Sequence, residues 1–278
     1  VIEQIYSFSF TTSVEASVFN ENTFNNSQKF IDYLMIQNIG GKMENIGHDF
    51  IRLTSYTRGM DSVNEINEQG APEPKTSGNI VMLPKPQTDS DLSVLITSRR
   101  SKRAFDDSEM PFDDLSKILF LTQGVTKTAG DRQFRAVASA GNGHPFNNYI
   151  LVNRVKGLRN GLYFYNHSSH SLDLMKDGEL SEELTKACLG QKMINTCQVV
   201  YIQTAVTSRT TSRYNERGYR YIFLDAGHIG AQTQLVCQEL GYGSCNIGAF
   251  LDDEVADFLG VKPPHEIPVY MTVIGKPV

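Results

Sequence analysis

The chain has 278 residues, 40% of them hydrophobic, with 26 basic against 31 acidic side chains and a formal net charge of −5. That is enough apolar material for one large core plus an extension. The mixed balance excludes the basic excess that nucleic acid or an anionic membrane would require, so neither is an expected partner. No apolar run reaches the ~20 residues of a membrane-spanning helix. The first residues, Val1-Ile2-Glu3-Gln4, lack the basic start and apolar stretch of a secretory signal, and a cytoplasmic location is expected.

Residues 1–86 read as an N-terminal extension and linker. Phe30, Ile31, Leu34 and Met35 have helical spacing within 28–37, and Gly40-Gly41 would end that helix. From 65 to 86, Gly70, Pro72, Pro74, Gly78, Pro84 and Pro86 predict an extended linker. Residues 87–278 alternate helix and strand patterns. A helix is predicted over 88–97, with Leu92, Leu95 and Ile96 on one face. Another starts near Pro111 with a stripe of Phe112, Leu115, Ile118 and Leu119, closing near Gly124. Strands are predicted at 148–155, 162–165 and 198–206, with a turn at 157–161. A long helix over about 221–240 stops at Gly241, and a last strand covers 268–274. Such interleaving excludes all-α and all-β folds.

Metal and nucleotide motifs are missing. Cys188, Cys197, Cys237 and Cys245 form no Cys-x-x-Cys pair, and the six histidines no His-Glu-x-x-His. No metal is expected, and the thiols read as reduced and buried. No Gly-x-Gly-x-x-Gly follows a strand, so neither a Rossmann nor a P-loop site is supported.

Three segments carry chemistry. Ser98-Arg99-Arg100-Ser101-Lys102-Arg103-Ala104-Phe105 puts four cations and two hydroxyls directly after an amphipathic helix, a composition suited to phosphate oxygens. Arg135 to Phe146 holds small residues that let a ligand approach the backbone. It also holds Asn142, which can donate and accept, and Arg135, which can face an anionic or carbonyl oxygen. Leu240 to Phe250 is a small-residue segment after a helix end, whose N–H groups can face a flat ligand. Each is also what a solvated basic turn, an ordinary glycine loop or a helix cap with a buried strand would look like.

In order and spacing, the three resemble the nitroreductase superfamily. Arg99, Arg100, Ser101, Arg103 and Phe105 match its Arg-Arg-Ser-x-Arg-x-Phe run. Ser139, Asn142 and Pro145 match Ser-x-x-Asn-x-x-Pro, and Leu240, Gly241, Gly243, Ile247 and Gly248 match Leu-Gly-x-Gly-x-x-x-Ile-Gly. A narrower resemblance is to the SagB-type, azoline-oxidising dehydrogenases of thiazole/oxazole-modified peptide clusters. It rests on Arg135 with Ser139-Ala140-Gly141, on Gly218-Tyr219-Arg220-Tyr221, and on Asp225-Ala226-Gly227-His228. Thr54 to Arg58 and Leu83-Pro84 add a looser match. Arg213-Tyr214 stands where the competent azoline oxidases carry Lys-Tyr. Arginine stays protonated and cannot serve as a base, which leaves the phenol.

The resemblance implies an α+β, nitroreductase-like fold: a mostly antiparallel central sheet flanked by helices, built as an intertwined homodimer. It implies one FMN per active site, held by residues of both subunits. Arg99, Arg100, Ser101 and Arg103 would hold phosphate and ribityl chain. Arg135, Ser139 and Asn142 would lie at the ring or its hydroxyls, and Gly248 and Ala249 would supply backbone donors. Arg213 and Tyr214 would be catalytic. His228, in the helix the family uses as its dimer seam, is expected buried, and Asp225 is expected to be an interface or helix-terminal partner. The implied activity is an FMN-dependent oxidoreductase acting on an azoline-bearing peptide or assembly-line intermediate, beside a cyclodehydratase or other modification enzyme. A stand-alone NAD(P)H-dependent nitro or quinone reductase, and a non-catalytic flavin-binding subunit, stay open.

Overall fold

The structure, a computed structural model, describes residues 46–56, 58 and 77–278. They belong to one compact unit, Asn45–Val278. The helix expected over 28–37 and most of the linker lie outside the described residues.

Helices α1 (Ile46–Thr54), α2 (Asp91–Ser98) and α3 (Phe112–Gln123) come first, then a hairpin of β1 (Val125–Ala129) and β2 (Arg132–Arg135). Strands β3 (Phe146–Val152), β4 (Gly161–Asn166) and β5 (Ser171–Asp177) form a meander. Helices α4 (Ser181–Ala187) and α5 (Met193–Thr196) lead into β6 (Val199–Val206). Then follow α6 (Ser208–Tyr214), α7 (Arg217–Glu239), β7 (Gly243–Ile247), α8 (Asp252–Leu259) and β8 (Glu266–Gly275). Six strands make one sheet in the order β5-β4-β3-β6-β8-β7. Every neighbouring pair in it is antiparallel, as the resemblance implied.

The sheet is buried on both faces, and the period of two along each strand divides its side chains between two cores. Val199, Tyr201 and Ala205 of β6 pack with Leu115, Ile118, Ile222 and Ile229 of α3 and α7. Val200 and Ile202 pack on the other side with Leu184, Ile194, Val255 and Phe258 of α4, α5 and α8. All four cysteines are free and buried. Burial pushes the Cys188 and Cys197 thiols up to about 12, which makes them unreactive at neutral pH.

The long helix α7 has 23 residues, about 34 Å at 1.5 Å per residue. Ile222, Ala226, Ile229, Thr233 and Val236 face the sheet. Their spacing of three and four leaves His228 on the opposite side, exposed in the single chain, where the sequence led to the expectation of burial. The same outer face shows Leu224, 55% exposed, with Gly227 and Ala231. Phe112 also departs from expectation. It heads α3 and is exposed, because the buried stripe runs through Leu115, Ile118, Leu119 and Thr122.

Beyond α1, the chain is stapled to the start of α8. Tyr56 bridges to Leu251, its N–H donates to Asp252 Oδ2 at 3.0 Å, and Arg58 grips Glu254 with two bonds of 2.8 Å. Burial raises the Asp252 carboxyl to about 6, against the pull of the Tyr56 N–H. A carboxyl raised on folding stabilises below its unfolded pKa and loses that contribution as pH rises through about 6. Asp252→Asn should therefore raise stability at pH 7 by about 1 kcal/mol, discounted for the site's partial solvent screening. It should also flatten the decline between pH about 4 and about 6. Urea unfolding of both proteins across that range measures the effect, and a steeper decline in the variant contradicts it.

Candidate functional site

The basic run ends α2 and is then laid along the edge of the sheet. Arg99 caps α2 with extended backbone. Ser101 bridges to Ser244 of β7, and Lys102 N–H donates to Ser244 O at 2.9 Å. Phe105 is buried in the second core and pairs with Pro277, while Asp106 N–H donates to Lys276 O. Glycine at 243 is required for this contact, because a Cβ there would stand 2.7 Å from that of Lys102. Arg100 folds back to donate to Thr97 O and Arg99 O, satisfying carbonyls at the helix end. Among the described residues, Arg99, Arg100 and Arg103 enter no ion pair.

Lys276 joins this edge, its ammonium 5.8 Å from the centre of the Tyr242 ring. Sequence reasoning missed it, since one lysine after the last strand carries no local signal. Gly248 and Ala249 follow Ile247, the last paired residue of β7, so they lie beyond the ladder. A Cβ at Gly248 would meet nothing nearer than the Tyr270 ring at 3.6 Å. Beside Gly248, a pocket of about 200 Å³ is walled by Phe50 and Tyr56 of the N-terminal segment, with Phe223, Phe250 and Asp252.

The other predicted residues gather where the chain enters β3. Ser139 Oγ donates to Asp225 Oδ2 at 2.6 Å and accepts from His144 N–H at 2.9 Å. Ala140 N–H adds a bond to the same carboxylate. Asp225 is buried in α7, so this carboxylate anchors the loop rather than ending a helix. Gly141, Asn142 and His144 take φ of 57°, 58° and 42°. Asn142 donates from Nδ2 to Gln133 O, and its Oδ1 meets His144 Nε2 at 3.0 Å. Arg213 Nη1 donates to Gly141 O at 3.1 Å, with its guanidinium 5.3 Å from the centre of the Tyr214 ring. Tyr214 also meets Tyr221 edge-on at 4.9 Å. The segment that carries Arg213 and Tyr214 is helix α6.

Hairpin, loop and α6 enclose a cleft of about 870 Å³, lined by Arg132, Arg135, Asn142, His144 and Arg213 among others. Arg135 Nη1 donates to Gln123 Oε1, and burial lowers its pKa to about 10. Burial, then the charge of Arg135, holds His144 down at about 4 and His167 at about 3. Both imidazoles are therefore neutral at pH 7.

The predicted residues thus fall into two groups. One, at β7, holds Arg99, Arg100, Ser101, Arg103, Gly248 and Ala249. The other, at the start of β3, holds Arg135, Ser139, Asn142, Arg213 and Tyr214. Strands β6 and β8 stand between β3 and β7, so the two strands that carry the groups are three spacings apart, about 14 Å.

Residues 96–276 match the Nitroreductase family. The chain belongs to that family. A protein of Methanocaldococcus jannaschii named as a nitroreductase is 35% identical over 185 residues, covering 66% of this chain and 90% of that protein. The trifolitoxin-processing protein TfxB of Rhizobium leguminosarum bv. trifolii is 28% identical over 144 residues, which are 48% of this chain and 39% of TfxB. The E. coli microcin synthetase McbBCD complex, solved with truncated pro-MccB17 bound, contains a chain of the same fold. That likeness has a TM-score of 0.59 at 12% identity over 91% of this chain and 93% of that one. Family and fold make this chain a nitroreductase-family oxidoreductase.

Asp225 is the anchor on which the loop depends. Asp225→Ala would leave the Ser139 hydroxyl and the Ala140 N–H without their acceptor, in a buried setting. The expected cost is about 1–3 kcal/mol, read by urea denaturation. An unchanged midpoint would show that the loop holds itself.

Proposed function

We propose that the protein is an FMN-dependent dehydrogenase of the SagB type, working as a homodimer on an azoline-bearing peptide or assembly-line intermediate. One observation carries the flavin reading. Arg99, Arg100 and Arg103, without ion-pair partners among the described residues, lie beside a strand whose far end opens at Gly248 and Ala249. Cations suit the phosphate, Ser101 the ribityl side, and glycine leaves room for a flat ring. These residues fit FMN. When bound, it supplies a two-electron acceptor at its ring.

The 14 Å gap supports the homodimer. A ring over Gly248 has its own chain's Ser139 and Asn142 three strands away, so the loop nearest to it belongs to a second copy. The exposed face of α7, with Leu224, Gly227, His228 and Ala231, offers the apolar and small residues of a helix seam. Asn142 and the backbone of Gly141 would orient the ring edge, and the N–H groups of Gly248 and Ala249 would favour charge that builds there. Turning an azoline into an azole removes a proton and a hydride. On this reading Tyr214, as its phenolate, takes the proton and becomes the neutral phenol, and the Arg213 guanidinium over its ring is the positive charge beside that phenolate. The names of two relatives support the substrate class, trifolitoxin processing for TfxB and microcin synthetase for the McbBCD chain. The same names support association with further modification enzymes. The 35% identity to a protein named as a nitroreductase favours a second reading, a stand-alone NAD(P)H-dependent nitro or quinone reductase.

The purified protein should be yellow and release FMN. Arg99→Ala should weaken FMN binding by about 1.5–3 kcal/mol, read by fluorescence titration. Sedimentation should show a flavin-loaded dimer at micromolar concentration, and a flavin-loaded monomer there contradicts the shared site. In single-turnover flavin reduction by an azoline peptide, Tyr214→Phe should abolish reduction while keeping its FMN. Equal rates remove Tyr214 as the base, and fast turnover of a nitroarene with NADPH but none of the azoline moves the assignment to the reductase.

A further inference from the structure

We infer that the cleft between the β1–β2 hairpin, the 139–144 loop and α6 is an anion subsite, in which Arg132, Arg135 and Arg213 hold a carboxylate-bearing arm of the substrate. The inference deepens the proposed function and rests on it in one respect: the second copy's ring lies against the same loop, so an arm held here presents the substrate to it.

Charge is the first observation. The cleft is lined by three arginines against one carboxylate, Asp131, in a chain whose net charge is −5. The second is the state of Arg135. A guanidinium largely withdrawn from water demands a partner, because burying a charge costs several kcal/mol unless it is paired. Its hydrogen-bond partner is the neutral amide of Gln123, and among the described residues it enters no ion pair. The ionisable groups that face it are Tyr165, Tyr201 and Arg209, with His144 and His167, which burial first and its field second keep neutral. None of them is an anion at pH 7.

Unspent polar atoms behind it are the third observation. Gln203 is 0% exposed, yet among the described residues neither its amide oxygen nor its nitrogen has a hydrogen-bond partner, and Thr210 Oγ1 has none either. Gln203 stands directly opposite Asn148, which bonds His167 Nε2 at 3.1 Å and accepts from the Tyr201 hydroxyl at 2.7 Å. Thr210 lies under the loop, 3.8 Å from the Cβ position of Gly143. A buried amide with neither group satisfied is uncommon in a native fold and marks a place that ligand or ordered water completes. A guanidinium fork matches a carboxylate with two parallel bonds. Asp131 at the rim works against a dianion, so a singly charged carboxylate suits the cleft better than a phosphate.

The test uses the full chain with FMN supplied and two synthetic peptides, acetyl-Gly-Asp-Gly-Asp-Gly-amide and its counterpart with asparagine in place of both aspartates. Calorimetry should show the acidic peptide binding at least about tenfold more tightly than the neutral one, with an affinity that falls as salt rises. Arg132→Gln, on the exposed hairpin, should weaken the acidic peptide at least about tenfold and leave FMN affinity unchanged. Arg135→Gln should weaken the acidic peptide as well, and Arg132→Gln keeps the reading if that buried substitution impairs folding. The His144 ring signal, followed by NMR, should titrate at a higher pH when the peptide is bound. Equal affinity for the two peptides overturns the inference. So does a loss of FMN affinity in Arg132→Gln as large as the loss of peptide affinity, which would assign the cleft to the cofactor's phosphate. A protein that takes up no flavin but still prefers the acidic peptide would sink the proposed function and leave this subsite standing.

Discussion

The antiparallel pairing of β3, β6 and β8 is the constraint on which the rest of the structure depends. Strand β6 is buried at seven of its eight positions and hydrogen-bonded on both edges, so it cannot shift register without turning one core inside out. Its neighbours inherit that register. The start of β3 fixes where the 139–144 loop stands, and β8 fixes β7 and with it Gly248. The separation of the two groups of predicted residues is thus a consequence of strand order.

Electrostatics follow the same division. The chain is acidic in total, yet it places cations that form no ion pair among the described residues at both groups: Arg99, Arg100 and Arg103 along β7, and Arg132, Arg135 and Arg213 around the cleft. The two differ in solvation. The β7 arginines lie near the surface, where a charged ligand competes with water. Arg135 has already lost most of its water, so an anion that reaches it meets a stronger field. Concentrating positive potential in concave places also speeds the approach of anionic ligands.

Several expected residues turn out to have prior engagements that moderate their roles. Ser139 spends its hydroxyl on Asp225 and His144 N–H, so it mainly fixes the position of the loop. Arg100 donates to the last carbonyls of α2, which fixes its guanidinium at the helix end. Asp225, read from the sequence as an interface or terminal residue, holds the loop from inside. Tyr214 is packed against Tyr221 and Arg213 within a helix, which gives it a defined orientation.

The sequence by itself determined the elements whose periodicity is strong. It placed β6 and α7 within a few residues of their observed bounds and found the helix–strand alternation. It also found three motifs that resemble the family matched over residues 96–276, because runs of cations and small-residue loops are local in sequence. It did not show β5, the β1–β2 hairpin or α6. Their exposed, polar or short segments bury too little to leave a pattern; β5 has its last five residues exposed. Only the tertiary structure decided the remaining matters. They are the side of α7 that carries His228, the approach of Lys276 to the basic run, the anchoring of Ser139 by a carboxylate 86 positions away, and the lack of an acidic partner for Arg135 among the described residues. Each depends on contacts between residues distant in the chain, whose distances are set by strand order and packing rather than by any local pattern.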